Sequence, residues 1–171
     1  QGKTLGIVGL GRIGKTLAQR AKAFNMKIIY HNRKQISKIE EKKLGVKYTT
    51  FDKLISQSDI ISIHVPHTEE TNQMFNMKNF KKMKNTAFLI NTSRGKVVNE
   101  KDLVTALKEK IIAGAGLDVF QIEPMDKNHP LTKLENIVLV PHIGSSTKET
   151  RTKMAEITIK NLILGIKGKK P

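Results

Sequence analysis

The chain has 171 residues, 38% hydrophobic and 27% charged, which is ordinary for a soluble globular protein and enough for one domain with a real core. It has no cysteine, which excludes disulfides and thiolate catalysis, and no run of roughly 18 apolar residues, which excludes a helical membrane span. The net charge is +16, from 31 Lys and Arg against 15 Asp and Glu. The basic residues are spread along the chain and aromatics are only 5%, so a solvated lysine-rich surface is expected rather than a nucleic-acid interface.

Gln1-Gly2-Lys3 leads straight into a strand, with no export signal, so the cytoplasm is the expected compartment. The first strand is Thr4 to Val8. It runs into Gly9-Leu10-Gly11-Arg12-Ile13-Gly14 and then a helix reaching Phe24, with Ala18, Ala21 and Phe24 on the face expected to pack on the sheet. Lys27 to Tyr30 is a second strand and Ser37 to Leu44 a short charged helix. Val46 to Tyr48 is a short strand, and Asp52 to Gln57 a helix with Leu54 and Ile55 inward. Asp59 to Val65 reads as a buried strand closed by Pro66, and Asn76 to Lys84 as a polar helix or turn. Ala87 to Asn91 is a strand. Asn99 to Lys110 is an amphipathic helix, with Leu103, Val104, Leu107 and Ile111 at helical spacing. Ala113 to Leu117 and Asn136 to Val140 are the last strands, and Thr147 to Gly165 is a long final helix.

Strands alternating with helices imply parallel pairing with helices on both faces. The expected fold is α/β, a doubly wound parallel sheet of about seven strands: a Rossmann fold in one NAD(P)-binding domain over residues 1–171. The two ends read as cuts at a domain boundary, so the domain is expected to be a piece of a longer protein.

A glycine turn between strand and helix is suited to phosphate. Gly9 permits the tight turn, Gly11 lets the backbone approach a pyrophosphate, and Gly14 lets helix and strand pack closely, with the helix N-terminus facing the anion. An ordinary turn or a methyl-donor site fits the same glycines, but the flanking strand and helix favour a dinucleotide. In an open parallel sheet, ligands sit beyond the carboxyl ends of the strands. Arg94, Asp118, Glu123 and His142 all follow such ends. Each alone reads equally well as a loop or turn residue; together they read as a site. A histidine is the natural acid near neutral pH for protonating a carbonyl oxygen as a nicotinamide reduces its carbon, and a carboxylate beside it favours the charged imidazolium. An arginine clamps a carboxylate in two-point fashion. A 2-oxo acid substrate is therefore expected, with His142 as acid, Glu123 as its partner and Arg94 as the clamp. No metal is required.

These residues lie in Gly9-x-Gly11-x-x-Gly14, Asn91-Thr92-Ser93-Arg94-Gly95, Gly116-Leu117-Asp118-Val119-Phe120 with Glu123-Pro124, and Pro141-His142-Ile143-Gly144-Ser145. In order and spacing the chain resembles the cofactor-binding domain of D-isomer-specific 2-hydroxyacid dehydrogenases over essentially its whole length. The resemblance implies Arg94, Glu123 and His142 as the catalytic set and Asp118 as the residue orienting the nicotinamide carboxamide. It also implies a cofactor lining of Gly9, Gly11, Arg12, Ile13, Gly14, Val65, Pro66, Thr71, Thr92, Ser93, Arg94, Asp118, His142 and Gly144. NAD-specific members carry an Asp at the end of the second strand for the ribose 2′-OH. Here the stretch is His31-Asn32-Arg33-Lys34, so NADP is expected, with NAD as the alternative. This basic turn is similar to the glyoxylate and hydroxypyruvate reductase branch. The family also implies a second, substrate-binding domain and a homodimer. A domain binding NAD(P) in a regulatory, corepressor-like protein is the alternative reading.

Overall fold

A computed structural model of the chain describes residues 1–170. They fall into two units, residues 1–141 and the segment from His142 onward. In the first unit the sheet strands are β1 (Thr4–Val8), β2 (Lys27–His31), β3 (Lys47–Tyr48), β4 (Ile60–Ile63), β5 (Phe88–Asn91), β6 (Gly114–Leu117) and β7 (Ile137–Leu139). All pair in parallel, in the order β3-β2-β1-β4-β5-β6-β7. The chain winds outward from β1 in one direction to β3 and then returns to continue from β4 in the other. The switch point between β1 and β4 leaves a crevice beyond their carboxyl ends, where open α/β sheets bind ligands.

The intervening helices are α1 (Arg12–Ala23), α2 (Lys38–Leu44), α3 (Phe51–Gln57), α4 (Met77–Phe80) and α5 (Glu100–Lys108). Side chains cap four of the five: Ser37, Thr50, Asn76 and Asn99 each accept a backbone N–H three residues on. Two cores result. Leu5, Ile7 and Tyr30 pack with Ala18 and Ala21 of α1. Leu54, Ile61, Phe80, Leu89 and Leu103 belong to the second, and all five are fully buried. Burial of each such side chain contributes about 1.5–3 kcal/mol.

The expected Rossmann fold is present, and the differences from the expected elements are local. Phe24 does not pack on the sheet: α1 ends at Ala23, Phe24 is its C-cap at φ −90° and ψ 12°, and its side chain is 69% exposed. Ile111 lies beyond α5, because Lys110 turns the chain at φ 54°; it still packs on the core from the loop. β4 stops at Ile63. The His64 N–H still donates to the Val8 carbonyl at 2.7 Å, and the chain then leaves the sheet ahead of Pro66.

In the second unit, α6 (Lys148–Ile166) is capped by Thr147, whose hydroxyl accepts the Thr150 N–H at 3.2 Å. No residue of α6 is buried.

Candidate functional site

The glycine turn is fixed by its neighbours. Gly9 sits at φ 98°, and a Cβ there would lie 2.7–2.9 Å from the backbone of His64 and Val65. Its N–H donates to the His31 carbonyl at 3.0 Å. A Cβ on Gly14 would strike the Gly9 carbonyl oxygen, so α1 rests directly on the turn. Gly11 differs: at φ −81° a Cβ would meet nothing within 4 Å. α1 has no side-chain cap at Gly11 and no acid in its first turn. Its N–H groups and positive end are therefore left for an external anion. Beyond the turn lies a cavity of about 420 Å³, within the size range of small-ligand sites. Gly9, Gly11, the basic turn, Val65, Pro66 and Thr71 line it. Arg12 and Ile13 are exposed at the start of α1. An open turn, an uncapped helix end and a cavity of this size fit the pyrophosphate of a dinucleotide.

The residues after β2 divide into two kinds. Asn32 accepts the Leu10 N–H on Oδ1 at 2.7 Å, tying β2 to the glycine turn. His31 Nδ1 lies 3.1 Å from the Thr49 carbonyl, and its ring lies 6.0 Å from those of Tyr48 and Phe51. Arg33 and Lys34 are exposed and make no hydrogen bond or ion pair with other described residues. Across the cavity Thr71 shapes the Pro66 loop, donating to the Pro66 carbonyl at 2.7 Å and accepting the Thr68 N–H at 2.8 Å. Beside it stands Glu70, held below the usual carboxylate range first by the Thr68 hydroxyl and, more weakly, by the charge of Arg33.

Further along the strand ends, buried Asn91 organises the Arg94 loop. Its Oδ1 accepts both the Ser93 N–H (3.0 Å) and hydroxyl (2.9 Å), and its Nδ2 donates to the Arg94 carbonyl at 3.0 Å. Thr92 is exposed, and the exposed Arg94 guanidinium donates to the Ser93 carbonyl at 2.6 Å. Gly95 lies so close to the Phe120–Gln121 peptide that a Cβ there would overlap it. The Arg94 loop is thereby joined to the segment carrying Asp118 and Glu123. Asp118 is buried and donates its N–H to the Asn91 carbonyl at 2.9 Å; Glu123 accepts the Phe120 N–H on Oε1 at 2.9 Å, ahead of a cis Pro124. His142 and Gly144 belong to the second unit, where His142 is exposed at φ 55°.

Sequence reasoning missed two features. His64, read only as a strand residue, lines the cavity; its Nε2 lies 2.9 Å from the Ser62 hydroxyl, and burial pushes the imidazole toward its neutral form. Glu100, buried at the start of α5, accepts the Gln121 N–H at 2.6 Å and lies 3.4 Å from His129 Nε2. It anchors the segment bearing Glu123. The Glu100 pairings have no local sequence signal, since its partners lie 21 and 29 residues away.

Residues 1–144 match the family model described as the NAD binding domain of D-isomer specific 2-hydroxyacid dehydrogenases. The chain is 56% identical over 171 residues to a glyoxylate reductase of Thermococcus litoralis and 53% identical over 170 residues to one of Korarchaeum cryptofilum. The alignments cover 100% and 99% of the chain and 51% of each relative, so it spans about half their length. Its fold matches a crystal structure of a glyoxylate reductase from Paecilomyes thermophila with a TM-score of 0.91 at 41% identity, covering 100% of this chain and 52% of that one.

Proposed function

The chain belongs to the D-isomer specific 2-hydroxyacid dehydrogenase family, and from that membership we propose that it is the cofactor-binding half of an NADPH-dependent reductase of small 2-oxo acids. Glyoxylate or hydroxypyruvate is the proposed substrate, giving glycolate or the D-isomer of the 2-hydroxy acid from hydroxypyruvate, and the natural protein carries a further, substrate-binding domain. The observation that carries this reading is the gathering of the glycine turn, the Arg94 loop and the Asp118–Glu123 segment beyond the carboxyl ends of one parallel sheet. A phosphate cradle alone implies only nucleotide binding; the Arg94 loop adds the means to hold an oxo acid, and the Glu123 segment a carboxylate to partner the acid.

In this reading the turn from Gly9 to Gly14 and the start of α1 hold the pyrophosphate, and Arg33 with Lys34 takes the 2′-phosphate. The names of the relatives support the reductase reading, and the absence of a carboxylate from the basic turn supports NADP. Asp118 orients the nicotinamide carboxamide. When bound between these elements, the nucleotide would supply the hydride that reduces the substrate's carbonyl carbon. Arg94 clamps the substrate carboxylate with its planar fork and polarises the adjacent carbonyl. His142 delivers a proton to the carbonyl oxygen, with Glu123 as its partner.

The test is NADPH oxidation by the intact protein across a panel of 2-oxo acids, with chiral analysis of the product. Glyoxylate has no chiral product, so hydroxypyruvate is the informative substrate. Turnover to the D-acid that His142→Ala lowers by at least about a hundredfold is expected, in line with the contribution of a general acid. Nucleotide binding without turnover on any acid would leave a regulatory protein instead.

A further inference from the structure

We propose that Glu41, acting through Tyr30 and Gln35, is a positioning residue for nucleotide choice, holding the Arg33–Lys34 turn in the form that receives a 2′-phosphate. The proposal rests on the NADP reading above and deepens it.

Glu41 lies in α2, whose sequence Lys-Ile-Glu-Glu-Lys-Lys-Leu suggests a solvated charged helix. Yet Glu41 is only 7% exposed. Its Oε1 accepts the Tyr30 hydroxyl at 2.9 Å and the Gln35 side-chain amide at 2.7 Å, and its Oε2 accepts Lys38 Nζ at 2.8 Å. The Tyr30 hydroxyl, on a fully buried residue near the carboxyl end of β2, in turn accepts the Ile36 N–H at 3.1 Å. The residues directly after Lys34 are therefore fixed twice, Gln35 by its side chain and Ile36 by its backbone. On the other side, Asn32 is fixed by its bond to Leu10. Arg33 and Lys34 form a two-residue span between two anchored ends, and both side chains remain directed to no described partner within bonding reach.

Burying a carboxylate is expensive, and an apolar side chain would fill the same space without that penalty. What a carboxylate adds is direction, because three donors from the segment 35–38 and from Tyr30 converge on two oxygens. A turn ordered in advance loses less freedom when its cations meet an anion, and this gain applies to the nucleotide carrying the 2′-phosphate. The sign of the effect separates this role from simple charge. Removing a carboxylate from the region of a phosphate dianion strengthens binding on Coulomb grounds alone; loss of positioning weakens it.

The experiment measures dissociation constants of NADPH and NADH for the intact protein and for Glu41→Gln, Tyr30→Phe and Gln35→Ala. NADPH binding is expected to weaken about five- to twentyfold in each variant, with NADH within about twofold of the parent. Equal weakening of both nucleotides means a merely structural network and overturns the proposal; so does NADPH binding that is unchanged or tighter. Gln35 is exposed, so Gln35→Ala carries the test if the buried variants fail to fold. Arg33→Ala is run in parallel. If it collapses the NADPH preference while the network variants do not, positioning fails and the NADP reading stands. If Arg33→Ala leaves the preference intact, both are overturned.

Discussion

Replacing Gly11 with alanine separates ligand binding from folding. At φ −81° the backbone accepts an L side chain, and the new methyl meets nothing within 4 Å. Reduced freedom of the unfolded chain stabilises by about 0.4–1 kcal/mol, whereas alanine is a poorer helix N-cap than glycine by a similar amount. The two offset, and the melting temperature should stay within about 2 °C of the parent. The methyl projects, however, into the space proposed for the pyrophosphate. Displacing one charge-assisted hydrogen bond costs roughly 1.5–3 kcal/mol, a weakening of about ten- to a hundredfold. Gly9→Ala behaves differently. Positive φ costs about 1–2 kcal/mol and the clash with His64 and Val65 about 1–3 more, a fall of roughly 4–20 °C in melting temperature. Calorimetric titration with NADPH and thermal melting of both variants distinguish the cases. Gly11→Ala protein that melts normally and binds NADPH as tightly as the parent would refute the placement of the pyrophosphate on this turn.

Three further outcomes are expected. Glu41 is held near a pKa of about 2, from an ordinary 4.5, first by Lys38 and then by Gln35. A depressed carboxylate contributes stability that is complete above pH 4.5 and lost as pH falls toward about 2; Glu41→Gln should flatten the melting curve against pH in that window, and an unchanged profile would exclude the coupling. Glu100 has the opposite sign. Burial pushes its carboxyl up, so folding is favoured at low pH and loses stability as pH rises through and above the ordinary glutamate range. Glu100→Gln should therefore melt higher relative to the parent at pH 7 than at pH 4, and a constant difference would contradict this. Glu70→Gln removes a negative charge facing Arg33 across the cavity. It should tighten NADPH binding about two- to threefold at low salt and not at all near 1 M salt, where exposed charges are screened; an effect independent of salt would point to Thr68 rather than to charge.

The strands of the parallel sheet were legible because most are short apolar runs bounded by Gly, Pro or polar residues, as in Ala87 to Asn91 before Thr92-Ser93; their order was not. The glycine turn was legible for the same reason: its function depends on local backbone geometry. Glu41 was not. Within Lys38 to Leu44 the charged residues look equivalent, and only the three-dimensional approach of Tyr30 from β2 selects one for burial. Phe24 failed in the other direction. Its helical spacing from Ala21 is correct, but the helix ends one residue before it. Asn32 lines the cavity, and its side-chain Oδ1 also accepts the N–H of Leu10, 22 residues earlier. Pairings across such separations leave no periodicity behind.

The Asn32–Leu10 bond has a consequence for redesign of coenzyme preference. Installing an aspartate after the second strand is a direct way to offer a ribose hydroxyl an acceptor. At position 32 one oxygen of that aspartate would already be engaged by the Leu10 N–H at the glycine turn. Exchanges at this position would therefore act on the glycine turn proposed to seat the diphosphate as well as on recognition of the sugar, and the two effects would not be additive. Arg33 and Lys34, which make no such bond, are the positions at which the proposed preference would be changed while the glycine turn stays as it is.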